Sequence, residues 1–269
     1  MTDTSLSTAP RRLAQAFAGG VAIGALGGLI GLGGAEFRLP LLIGLFGFAA
    51  LPAVILNKAM SLVVVASALV FRTRVIPLDA VLAHWSIVAN LLAGSLFGAW
   101  LGASWATRLQ GRALYRVIAV LLLLIAVVLV LGHDHATSGG ALLTGWLQAV
   151  AGVVAGFAIG IVASLLGVAG GELLIPTLVL LFGADIKLAG SLSLAVSLPT
   201  MIVGFTRYSR DSSFGILATN KAFLGAMAGG SIVGTGIGGM LLGVVPTAFM
   251  LPALAVILVI SAAKVWRHA

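Results

Sequence analysis

The chain of 269 residues has only two glutamates, Glu36 and Glu172, and each lies in a glycine-rich stretch that runs into a proline. The first reads Gly31-Leu-Gly-Gly-Ala-Glu36 ahead of Pro40, the second Gly167-Val-Ala-Gly-Gly-Glu172 ahead of Pro176. A carboxyl group in apolar surroundings can carry a proton, which makes the two glutamates proton-coupling candidates. Arg38 follows Glu36 by two residues, and Lys58 stands further on between Asn57 and Ser61. A guanidinium can hold an oxyanion with two parallel hydrogen bonds, and an ammonium acts as a point charge. Glycine in a helix interior costs about 1 kcal/mol and proline about 3. Gly33, Gly34, Gly170 and Gly171, with the prolines, therefore predict broken helices. The restarted helix exposes backbone N–H groups that attract an anion. In the second half Ser193 and Ser197 take the places of Asn57 and Ser61, and Ser191 and Thr200 lengthen the polar stripe. The chemistry suggested is recognition of a small anion. Each residue also has a plainer use: glycines for close helix packing, Arg38 as an ion-pair partner of Glu36, Lys58 as a snorkelling interfacial side chain, serines bonded to their own backbone, and the glutamates as helix caps.

These residues must be positioned by membrane helices. Residues AVILMFWYC make up 61% of the chain and charged residues 8%, against about 25% charged in soluble proteins. Mean hydropathy is +1.21. Such a chain cannot cover a water-facing surface, which excludes a soluble enzyme and a disordered polymer. Continuous apolar runs, rather than short alternating strands, argue against a transmembrane barrel. The net charge of +8 fits cations in short loops that orient the helices. No basic stripe interleaved with aromatics supports nucleic-acid binding. There is no cysteine, hence no disulfide, thiolate catalysis or thiolate metal site. Apolar runs fall at about 13–32, 39–51, 54–71, 79–103, 113–132, 141–167, 173–183, 187–206, 214–243 and 247–265. Arg11-Arg12 before the first run resembles a signal peptide, but that run carries a motif repeated deep in the chain, so it is read as a first membrane helix.

Shifting the chain by 136 residues lays it on itself. Gly31, Gly34, Glu36 and Pro40 fall on Gly167, Gly170, Glu172 and Pro176, and Leu45-Phe46-Gly47 falls on Leu181-Phe182-Gly183. Ser61-Leu62 meets Ser197-Leu198, and Gly94-Ser95, Gly98 and Gly102 meet Gly230-Ser231, Gly234 and Gly238. Arg38 and Lys58 break the symmetry, since their mates are Leu174 and Leu194. The expected fold is an all-α polytopic membrane protein. It has two homologous repeats of four to five helices, with ten segments and an inverted repeat preferred because that arrangement keeps Arg108, Arg112 and Arg116 inside. The division is residues 1–12 as a cytoplasmic tail, 13–132 as the first repeat, 133–140 as a linker and 141–269 as the second repeat. The glycines at four-residue spacing, including Gly152, Gly156 and Gly160, read as packing faces.

The remaining polar residues suggest no catalytic or metal centre. His84, opposite Asn220 in the repeat, reads as a satisfied polar residue, and His133-Asp134-His135 as a solvated loop. Asp185 reads as a helix N-cap, and Trp85, Trp100, Trp105, Trp146 and Trp266 as an interfacial belt. No catalytic residue, metal ligand or cofactor is expected. The expected partners are a small anion and the bilayer, with no nucleic acid, and the sequence leaves room for a homo-oligomer.

The two glycine-rich segments ending in Pro40 and Pro176 resemble those of the TauE/SafE family. So do Ala59-Met60-Ser61-Leu62, Leu192-Ser193-Leu194 and the stretch from Gly94 to Arg116. The resemblance covers about residues 13–266. It implies a multi-pass protein of the bacterial cytoplasmic (inner) membrane, not an enzyme. It further implies a secondary transporter, an exporter, of sulfite or an organosulfonate, with alternating access around the two breaks. A small-anion channel and a carboxylate permease are the alternatives.

Overall fold

A computed structural model describes residues 10–30, 34–72, 78–131, 141–240, 256, 259–260 and 262–267. Among them the chain is helical, without strands. The order is α1 (Pro10–Ile30), α2 (Ala35–Gly44), α3 (Ala50–Arg72), α4 (Leu78–Ala83), α5 (Trp85–Ala106), α6 (Gly111–Leu131), α7 (Gly145–Leu166), α8 (Gly171–Phe182) and α9 (Ile186–Tyr208). A 3-10 turn at Ser212–Gly215, α10 (Ile216–Thr219) and α11 (Lys221–Met240) follow. The linker at 133–140, Gly33, and most of the run expected at 247–265 lie outside the described residues. Helix α1 starts at Pro10, a residue suited to a first helical position because its missing N–H would be unpaired there.

Among the described residues, four helical stretches are long and apolar enough to cross a membrane: Ala50–Leu69, Trp85–Ala106, Gly145–Leu166 and Leu188–Tyr208. The pair Ser212–Thr219 and Lys221–Ile237, bent by 74°, makes a fifth if counted as one span. The runs expected to be continuous at 79–103 and 214–243 are both interrupted, at His84 and Asn220. These two positions are repeat mates. His84 Nδ1 lies 2.9 Å from the carbonyl of Ala80, and Asn220 Nδ2 donates to that of Ile216 at 3.0 Å. In each case a side chain reaches the carbonyl four residues back, at the point where the helix is interrupted.

Glycine sets the packing. Gly94 and Gly98 of α5 press on the backbone of Val153 and Phe157 in α7, and Gly156 and Gly160 of α7 press on Leu91 and Ser95. At the offset of 136 the same contacts recur: Gly230 and Gly234 of α11 press on Phe17 and Val21 of α1, and Gly20 and Gly24 press on Met227 and Ser231. Residue numbers rise together in both pairs, so the helices of each pair run parallel. A methyl group at any of these glycines would strike a backbone carbonyl or amide of the facing helix. In a bilayer helices associate through close van der Waals fit rather than escape from water, and small residues permit it. Each close pair joins one helix from each half of the sequence, so the halves are interleaved rather than side by side.

Candidate functional site

Both glycine-rich segments break the helical path and restart it. Gly34 precedes α2 with φ 67°, and Gly170 precedes α8 with φ 84°. Left-handed backbone disfavours any side chain, which explains glycine at both places. Gly171 is the first residue of α8 and is buried. Pro40 and Pro176 lie inside the short helices rather than at their ends. Proline has no N–H to give to the carbonyl four residues back, so the carbonyls of Glu36 and Glu172 lose their helical donors. Gly47 (φ 71°) and Gly183 (φ 68°) turn the chain after each short helix.

The side chains from these breaks meet in the interior with α3, α7, α9 and α11. Arg38 and Lys58 have no exposed surface, and Glu36 and Glu172 have almost none. Arg38 donates through Nη1 to Asn57 Oδ1 (3.4 Å) and Ser61 Oγ (3.2 Å), and through Nη2 to Ser231 Oγ (3.3 Å). Its Nε has no partner. Glu36 is close enough to act on Arg38 electrostatically, yet the two terminal nitrogens are held by neutral groups. Lys58 Nζ donates to the carbonyl of Ala163 (3.2 Å) and to Ser164 Oγ (3.4 Å), at the C-terminus of α7. Buried, it is not the interfacial snorkel that its sequence position also allowed.

Asn57 holds both breaks at once. Its Nδ2 donates to the carbonyl of Ala35, at the start of α2, and to that of Leu166, at the end of α7, each at 3.0 Å. Ser197 donates to Ala169 in the second break at 2.8 Å, while Ser193 bonds Gly190 in its own helix at 2.9 Å. The carboxyl groups of Glu36 and Glu172 lie close enough to each other and to the restarted backbone to interact electrostatically. Oε2 of Glu36 and both oxygens of Glu172 nevertheless complete no hydrogen bond. Unpaired buried oxygens are costly, at about 1–3 kcal/mol each, so the paired breaks form an unsaturated polar centre within an apolar bundle.

The structure thus brings together Gly34, Glu36, Arg38, Asn57, Lys58, Ser61, Gly170, Gly171, Glu172 and Ser197. Ser193 is buried nearby on α9. Ser231, Ser164 and Tyr208 also belong to this network. Tyr208 donates to the carbonyl of Ser164 at 2.9 Å. Ser231 falls within a glycine stripe that reads as packing, and its one sequence signal is that it and its mate Ser95 are hydroxyls in otherwise small, apolar faces. Ser95 pairs with Thr200 at 2.7 Å. Among the described residues no cluster of His, Asp or Glu has the form of a metal site.

The family model described as sulfite exporter TauE/SafE matches residues 16–265. The chain belongs to that family. TauE/SafE proteins are membrane transporters, not enzymes, so a small-molecule substrate and a multi-pass place in a membrane follow for this one. No curated protein and no solved structure matches the chain.

Proposed function

We propose that this TauE/SafE protein is a secondary transporter that exports a small sulfur-containing anion, sulfite or an organosulfonate, across the bacterial cytoplasmic membrane. The observation that carries the reading is the pair of buried cations, Arg38 and Lys58, whose hydrogen bonds go to neutral oxygens beside two interrupted helices. A buried cation is tolerated where a counter-charge arrives, and an anion can replace serine and asparagine oxygens on Arg38. The restarted helices α2 and α8 offer backbone N–H groups that their own glutamates now face. A proton on Glu36 or Glu172 removes the competing negative charge, so protonation and anion binding favour each other.

Ten segments in an inverted repeat are supported by helix directions. Helices α3 and α9 are repeat mates, yet Lys58 lies by Gly204 while Leu62, Val65 and Leu69 cluster with Leu194, Leu198 and Met201. That order is antiparallel, as expected for mates related by an axis in the membrane plane. Because each close helix pair mixes the two halves, the bodies that would move in alternating access are the pairs α1–α11 and α5–α7 rather than whole repeats.

The test is thermal unfolding of purified protein with sulfite, sulfate, thiosulfate, sulfoacetate, taurine and simple carboxylates, followed by counterflow in proteoliposomes. A ligand selective for the folded state raises its melting temperature. Selective stabilisation by sulfite or a sulfonate, with saturable counterflow, supports the reading. Stabilisation by carboxylates alone replaces it with a carboxylate permease, and flux without saturation or counterflow replaces it with a channel.

A further inference from the structure

A second cationic feature lies where α5 and α9 end together. Arg207 Nε donates to Ser104 Oγ at 2.7 Å. The guanidinium of Arg210 stands 5.0 Å from the centre of the Trp100 ring, and that of Arg207 stands 5.9 Å from it. Beside the same turn a half-open cavity of about 320 Å³ is lined by Leu101, Gly102, Ser104, Trp105, Arg108 and Ile161. Ser104 belongs to both, so the cavity and the arginine–tryptophan stack are contiguous. The cavity wall is apolar apart from Ser104 and Arg108, and its volume is that of a small-ligand site, about 300–1,000 Å³. The nearby carboxylate, Asp211, accepts from the backbone of Ser213 at 2.9 Å as a cap. Trp100, Leu101 and Trp105 are exposed, on a surface that in a membrane faces lipid.

The combination is a cationic rim over an apolar slot, flanked by two tryptophans of the kind found at headgroup level. We propose that it binds an anionic phospholipid. The phosphodiester accepts hydrogen bonds from Arg108 and Arg207, with Arg210 completing the positive field, and one acyl chain lies in the slot between Leu101 and Ile161. A zwitterionic lipid brings its own cation to three arginines and is disfavoured. A free inorganic anion gains the charge but not the slot.

The experiment uses the full-length protein, delipidated in neutral detergent, titrated with phosphatidylglycerol, with phosphatidylcholine of the same chains, and with inorganic phosphate. Native mass spectrometry and melting temperature are the readouts. Phosphatidylglycerol is expected to be retained and to raise the melting temperature, and the other two are not. Arg108→Gln and Arg210→Gln, both at exposed positions, should each weaken phosphatidylglycerol about fivefold, the worth of one cation near an anionic headgroup. Equal retention of the two lipids, stabilisation by phosphate matching that by phosphatidylglycerol, or wild-type affinity in the double variant would each overturn the proposal. If the double variant does not fold, brominated lipids decide with the native arginines in place. Brominated phosphatidylglycerol must then quench tryptophan fluorescence more than brominated phosphatidylcholine, and Trp105→Phe, which takes away the tryptophan lining the slot, must reduce the surplus. Equal quenching overturns the proposal.

Discussion

The two breaks share a left-handed glycine, a glutamate and a proline at matching places, but α2 turns Arg38 into the interior where α8 turns Leu174. The first break therefore supplies a cation, and the second supplies an apolar side chain to the core. Leu174 packs among Val88, Ile159, Leu178 and Leu192. The carbonyls at the end of α7 are taken by Lys58, Asn57 and Tyr208, side chains from α3 and α9. A duplicated unit has thus kept its backbone geometry and divided its side-chain work. Affinity should reside in one half and rigidity in the other.

The sharpest way to break that division is to truncate the two mates. Arg38→Ala should weaken binding of the stabilising anion about 10- to 100-fold, the range for hydrogen bonds to a charged group, while the protein still folds. Leu174→Ala should leave affinity within about twofold and lower stability by about 2–5 kcal/mol, as large-to-small core changes do. Calorimetric titration and thermal unfolding read the two separately, and equal effects on affinity would abolish the distinction. Next come the glutamates. Glu36→Gln should flatten the pH dependence of transport several-fold more than Glu172→Gln, because only Glu36 adjoins Arg38. Identical pH profiles for wild type and Glu36→Gln would remove its proton-carrying role.

The glycines give a smaller contrast. A methyl group at Gly34 meets the carbonyl of Ile23 at 2.5 Å, whereas at Gly170 it meets the Ile159 Cγ2 methyl at 3.1 Å. Both substitutions bear the left-handed penalty of about 1–2 kcal/mol. Gly34→Ala should nevertheless lower the melting temperature further, since a backbone carbonyl cannot turn aside as a side chain can. The smallest contrast is between Asn57 and Ser193. Asn57→Ala frees two buried carbonyls and should cost about 1–3 kcal/mol, while Ser193→Ala loses one bond within its own helix and should cost about 1 or less.

Much of this centre is legible in the sequence because glycine and proline act locally. A dense group of them in an apolar run must break a helix, and an offset repeat shows that the break occurs twice. The place of Lys58 in an apolar run leaves burial and a reach to the interface both open, and its bonds to the end of α7 decide for burial. The interruptions at His84 and Asn220 are not legible, since neither has a glycine or proline at the bend and each depends on a side chain reaching back one turn. Ser231, Ser164 and Tyr208 are missed for another reason. They matter through partners far along the chain, and spacing within one helix says nothing about which helix will face it. The glycine stripes announce close packing without naming the partner, which turns out in both pairs to come from the other half.

That interleaving has a consequence for how the molecule is made. Helix α1 is synthesised some two hundred residues ahead of the surface it fits, on α11. Until then Gly20 and Gly24 lack the backbone of Met227 and Ser231 that they pack against. The first half synthesised alone would have α5 without α7 and α1 without α11, so it cannot assemble as an independent half-transporter. The two halves supplied as separate polypeptides in one membrane carry every surface needed, and should find each other there.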